Sequence, residues 1–168
     1  MDLYYSTKEI HHEAEQHPFG SRMAAGEITR QEWCDWLGAN LQIHFKLDIY
    51  LPPYLQRSSE FAMDLYQLLP LVPKHSFSAS LLADKLDSKN PSTIGGLAYV
   101  MCGANLRGGQ VMAKKLEPLG FPCCHTRFPD MPQANEWLNR LRERGELATS
   151  AQQAFRGIIS VMDEINEH

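Results

Sequence analysis

The sequence predicts an all-α fold, and three observations carry that reading. Apolar residues recur at three- and four-residue spacing, Gly and Pro separate such stretches, and no run alternates with the period of two that a half-buried strand needs. The first helical segment runs from about Leu3 to Arg22 and ends before Gly26. Thr29 and Glu32 have the spacing of a capping box, in which each side chain satisfies a backbone N–H left free at a helix start. They open a long helix with Trp33, Leu37, Leu41, His44, Leu47 and Leu51 in register, closed by Pro52 and Pro53. Shorter helices follow at about 59–69 and 78–86, bounded by Pro70, Pro73 and Pro91. Another long segment spans about 92–119 and stops at Gly120. A loop rich in Pro and Cys leads to a helix near 133–144, ended by Gly145. Ser150 and Gln153 have capping spacing at the start of a last helix, whose Ala151, Phe155, Ile158, Met162 and Ile165 share a face.

The chain's 168 residues correspond to a single domain over 1–168, at roughly 150 residues per domain. A hydrophobic content of 43% is enough for a core and too high for disorder. Sixteen Lys and Arg against twenty Asp and Glu give a net charge of -4, which argues against a nucleic-acid binder with its basic excess. No apolar run approaches the roughly 18 residues of a membrane span, and residues 1–20 lack the apolar core of a signal peptide. The expectation is a soluble, cytoplasmic protein without membrane or nucleic-acid partners. Its four cysteines form no C-x-x-C pair, so a structural zinc site is not indicated. The run Pro122-Cys123-Cys124-His125 is read as a metal or redox site, or as a loop with ordinary thiols.

Two features carry the chemistry. Five of the eleven glycines, Gly95, Gly96, Gly103, Gly108 and Gly109, fall inside the 92–119 segment, where each costs up to about 1 kcal/mol relative to Ala. They serve close helix packing, a break between two helices, or the approach of a backbone to a flat ligand. Gly108 and Gly109, beside the polar Asn105 and Arg107, lean toward the ligand. In the first helix His11 and Glu15 are four apart and share a face. A neutral imidazole can bind a metal through one nitrogen while a carboxylate holds its other N–H. Solvated His–Glu pairs at this spacing are also common, so spacing alone leaves both readings open.

A family resemblance separates them. K-E-I-H-H-E-A-E-Q-H-P-F (8–19), followed by G-E-I-T-R-Q-E-W (26–33), resembles the opening of heme oxygenases. A-Y-V-M-C-G-A-N-L-R-G-G-Q-V (98–111) is similar to that family's distal-helix signature, and A-F-R-G-I-I-S-V-M-D-E-I (154–165) to its closing helix. The resemblance runs over nearly the whole chain in the family's order and implies the family's all-α bundle. It implies that His11 is the proximal heme-iron ligand, with His12 as the second choice, and that Glu15 orients it. It implies that Lys8, Tyr99 and Arg142 contact heme propionates and that Phe155 lines the pocket. Gly108 and Gly109 match the glycines lying against the distal face of the heme. Ala104 stands where many members have Gly, and Asn105 where they have the Asp that organises proton-delivering water. An amide can donate and accept hydrogen bonds but cannot ionise.

The implied activity is oxidative cleavage of heme, both cofactor and substrate, to biliverdin, carbon monoxide and ferrous iron. No G-x-G-x-x-G fingerprint occurs, so electrons are expected from a separate reductase or ferredoxin, with a bilin-accepting protein as a further partner. Two alternatives belong to other classes. One is a noncatalytic heme carrier or sensor that keeps His11 and loses turnover through Asn105. The other is a non-heme metal oxidase on the same scaffold, for which His44 and Asp48 offer part of a ligand set.

Overall fold

A computed structural model describes residues 2–167, which form helices joined by turns, with no strand among the described residues. The first segment is three helices: α1 (Leu3–Ser6), α2 (Lys8–Gln16) and α3 (Pro18–Ala25). The expectation of one continuous helix to Arg22 fails at Pro18. A proline disfavours helical backbone in the residue before it, and His17 is accordingly extended at ψ 137°. His17 becomes the cap of α3: its Nδ1 accepts from the Phe19 N–H at 3.1 Å, while its Nε2 lies 2.7 Å from Asp163. Gly26, at φ 75°, closes α3 in the left-handed conformation.

Helix α4 (Arg30–Leu47) begins at Thr29 with both capping-box hydrogen bonds formed. It runs through the centre of the molecule, so Trp33, Leu37 and Ile43 are buried along with the polar Asp35, Asn40 and His44. Trp33 satisfies its indole N–H on the Pro122 carbonyl at 2.9 Å. Helices α5 (Ser58–Tyr66) and α6 (Phe77–Asp84) pack on α4, and α10 (Ala148–Asn166) packs on α6, on α2 and on α7 (Pro91–Gly103).

The 92–119 segment divides into α7 (Pro91–Gly103), a π-helical turn over Ala104–Gly108, and α8 (Gly109–Leu116). A π turn widens the helix by one residue and marks functional sites in many proteins. Within α7, Gly95 and Gly96 serve packing. A Cβ on Gly96 would lie 2.6 Å from the Ser150 carbonyl carbon, so α7 and α10 approach backbone to backbone there. Helix α9 (Met131–Arg142) is capped by Asp130, which accepts from the Gln133 N–H at 3.0 Å. Ser150 is not the cap of the last helix, which starts two residues earlier at Ala148 and has no side-chain cap. Among the described residues, no helix is long and apolar enough to cross a membrane.

Candidate functional site

Helices α2 and α3 form one arm of the site; α7, the π turn and α8 form the other. The arms meet at both ends. At the first, the phenol of Tyr99 is half-buried, which pushes its pKa up, partly offset by the nearby Thr7 hydroxyl and by the positive fields of Arg142 and Arg107. That meeting point joins the start of α2, the middle of α7 and the end of α9. Lys8, exposed, follows Thr7 directly. Of the sequence-predicted residues, Arg142 therefore lies within the field of Tyr99, while Lys8 is placed here only as the neighbour of Thr7. At the other end α3 packs on α8, where the Gly26 position lies against Leu119 and Lys115.

Between these ends the arms stand apart. A Cβ added to Gly103, or to Gly108, would meet no atom within 4 Å. Gly103 lies one turn beyond Tyr99 and therefore on the same face, toward α2. Gly109 instead turns to Thr126, whose Cγ2 would sit 3.1 Å from an added Cβ. The resemblance named Gly108 and Gly109; open space in the structure lies at Gly108 and at Gly103, which sequence reasoning passed over. Nothing in the sequence separates these glycines from Gly95 and Gly96, because the difference lies in what packs opposite.

On the facing arm His11 and Glu15 occupy the middle of α2, half or more exposed, with Nε2 to Oε1 at 3.0 Å. The His11 ring stacks on Phe155 of α10, centroids 5.2 Å apart and planes at 26°. With one N–H given to Glu15, the other ring nitrogen of a neutral imidazole is free to bind a metal. His12, the second choice, is exposed beside it. Arg142 adds one more feature. The Nε of Arg142 is buried without a hydrogen-bond partner, the single side-chain atom in that state among the described residues. A buried unsatisfied donor is costly, and an anion at this end of the gap would satisfy it.

Asn105 sits in the π turn, buried, with Nδ2 3.0 Å from Nε2 of His44. His44 in turn places Nδ1 2.9 Å from Asp48. His44 and Asp48 are therefore engaged with each other and with Asn105. No three His, Cys, Asp or Glu side chains converge as a metal site among the described residues. The Cys123–Cys124–His125 run is tied up similarly. Buried Asp64 accepts from the backbone N–H groups of Cys124 and His125 and faces His125 Nδ1 at 2.7 Å. All four cysteines are free thiols, and burial pushes those of Cys102 and Cys123 up to about 12.

A cavity of about 830 Å³ opens between α4, α5 and α6 and includes none of these residues. The gap marked by the open space at Gly103 and Gly108, with His11 and Glu15 on α2, is the candidate site.

No family model and no curated protein sequence matches the chain. Solved structures do. The heme oxygenase of Leptospira interrogans superposes with a TM-score of 0.81 at 19% identity, covering 96% of this chain and 97% of that one. Heme oxygenase-1 of the cyanobacterium Synechocystis, in complex with heme, gives 0.79 at 16% identity, covering 98% and 90%. Heme oxygenase-2 of the same organism, with heme and NO, gives 0.80 at 17% identity, covering 98% and 84%. The chain has the all-α heme oxygenase-like fold over nearly its whole length.

Proposed function

We propose that the protein is a heme oxygenase, opening the heme macrocycle to biliverdin with release of carbon monoxide and ferrous iron. It would act in the cytoplasm on electrons from a separate reductase or ferredoxin and pass its product to a bilin-accepting partner. The observation that carries the reading is the pairing of two half-sites: an imidazole–carboxylate pair on α2, and a widened helical turn presenting bare glycine backbone on the opposite arm.

The residues present fit heme. His11 would ligate the iron, with Phe155 behind the ring fixing its plane. Glu15 would hold the second ring N–H, fixing the tautomer and ring orientation and making the ligand nitrogen more basic. Lys8, Tyr99 and Arg142 would take the two propionates, and the unpaired Arg142 Nε supplies a donor already in place. Because the chain is net acidic, such local cations are needed to accept a dianion. The glycines of the π turn let the helix backbone approach a flat surface where any side chain would intrude. Gly109, packed on Thr126, would hold the widened turn against the 121–128 loop. Asn105 would anchor water for proton delivery. Bound heme supplies the redox-active iron and is itself the substrate.

Hemin titration followed by reduction tests the reading. A saturable complex with an axial-histidine spectrum is expected, abolished in His11→Ala, restored by added imidazole, and unchanged in His12→Ala. Ascorbate, or ferredoxin with its reductase, should then yield biliverdin. Absence of a complex would overturn the assignment. A stable complex without biliverdin would favour the carrier alternative, which Asn105 in place of an ionisable Asp specifically motivates.

A further inference from the structure

His44 is fully buried, and both of its ring nitrogens are engaged. Asp48 Oδ2 accepts from the Arg57 N–H at 3.0 Å, the Ser58 N–H at 2.8 Å and the Ser58 hydroxyl at 2.6 Å. Burial pushes the Asp48 carboxyl up, but the hydrogen bonds of His44 and Ser58 outweigh it and hold the group below its ordinary value. Asp48 is therefore a carboxylate that can only accept, and His44 Nδ1 must carry the proton it donates. Nε2 faces the Asn105 amide nitrogen, which can only donate, so Nε2 is the acceptor of that contact.

We propose that His44 is a positioning residue for the distal side of the site: held by Asp48, it accepts the Asn105 amide N–H and so turns the Asn105 carbonyl oxygen away from itself as the acceptor for water in the gap. An amide has one donor end and one acceptor end, so fixing the first fixes the second. The chain Asp48–His44–Asn105 thus presents an oxygen acceptor without a carboxylate. It also accounts for the amide at position 105. A carboxylate there would set an acceptor against the accepting Nε2, and the pair could form only by taking up one more proton. Beyond Asp48, the charged and titratable surroundings are Arg57 beside the carboxylate, Cys102 within its field, and His125 paired with Asp64 across the Phe61 ring.

This inference rests on the heme oxygenase reading for its purpose, but its hydrogen-bond order is tested on hemin-free protein. Nitrogen-15 NMR should show the His44 proton on Nδ1, with Nε2 as the acceptor. One Asn105 amide proton should be protected from solvent exchange. That protection should vanish in His44→Phe and persist in His44→Gln, whose side-chain oxygen still accepts. A ring protonated at Nε2 in the wild type, or an Asn105 amide proton that stays protected in His44→Phe, would overturn the proposal.

With hemin, His44→Phe should lower biliverdin yield in a single turnover by about ten- to a hundred-fold with unchanged hemin affinity, and His44→Gln should restore part of it. Equal yields from wild type and His44→Phe would also overturn it. Wild type that binds hemin and makes no biliverdin would overturn the catalytic reading while leaving the hydrogen-bond order standing.

Discussion

Arg142 carries a buried Nε with no partner, and leaving such a donor unsatisfied costs about 1–3 kcal/mol. Arg142→Leu should therefore leave the thermal midpoint of hemin-free protein unchanged or raised, while hemin affinity falls by about ten-fold or more through loss of a charge-assisted contact. These opposite movements separate a ligand-binding guanidinium from a structural one; a variant destabilised without hemin would show the latter. Lys8 gives the exposed counterpart. Lys8→Ala should keep stability within about 0.5 kcal/mol, as surface substitutions do, and weaken hemin binding or shift the biliverdin isomer. Unchanged affinity and isomer in both variants would remove these residues from the propionate site.

Helix α7 and the π turn contain glycines of two kinds, and substitution tells them apart. A Cβ at position 96 would sit 2.5 Å from Ser150 Cβ and 2.6 Å from its carbonyl carbon, so α7 and α10 would have to separate. Gly96→Ala should cost about 1–3 kcal/mol in chemical denaturation, as overpacking does. At Gly103 the same methyl would meet nothing within 4 Å, and helix propensity favours Ala by up to about 1 kcal/mol. Gly103→Ala should thus be neutral or stabilising without hemin, and should weaken hemin binding because the methyl occupies the gap. Wild-type hemin affinity in Gly103→Ala would mean that this face of α7 does not meet the ligand.

For the whole molecule, the buried thiols contribute to the alkaline loss of stability. Cys102 and Cys123 ionise near 9.0 when exposed but at about 12 in the fold, chiefly because burial disfavours the thiolate. Their folded values are raised, so the unfolded chain loses protons first. The stability they carry is complete below pH 9.0 and declines as pH rises toward about 12. Urea midpoints should fall steadily over that window, and Cys102→Ala should flatten the slope. An unchanged slope would place the alkaline sensitivity elsewhere. Asp48 acts with the opposite sign: its carboxyl is held low in the fold, so its contribution is present above pH 3.8 and is lost as pH falls through its depressed value.

The sequence by itself determined the helices, because what builds them acts within four residues. The Thr29–Glu32 box starts α4 where its spacing says, and Ala151, Phe155, Met162 and Ile165 lie buried along one side of α10. The His11–Glu15 pair was legible for the same reason, being one turn apart. Pro18 was legible too, yet the apolar pattern running past it concealed the break at His17. Tertiary structure alone decided the rest. Asn105 and His44 are 61 positions apart, and Asp64 and His125 also 61, so no local spacing announces either pair. Whether a glycine admits a neighbouring helix, as Gly96 does, or faces open space, as Gly103 and Gly108 do, depends on what the fold packs opposite it. The same holds for Arg142, whose unpaired nitrogen exists only because distant elements bury it.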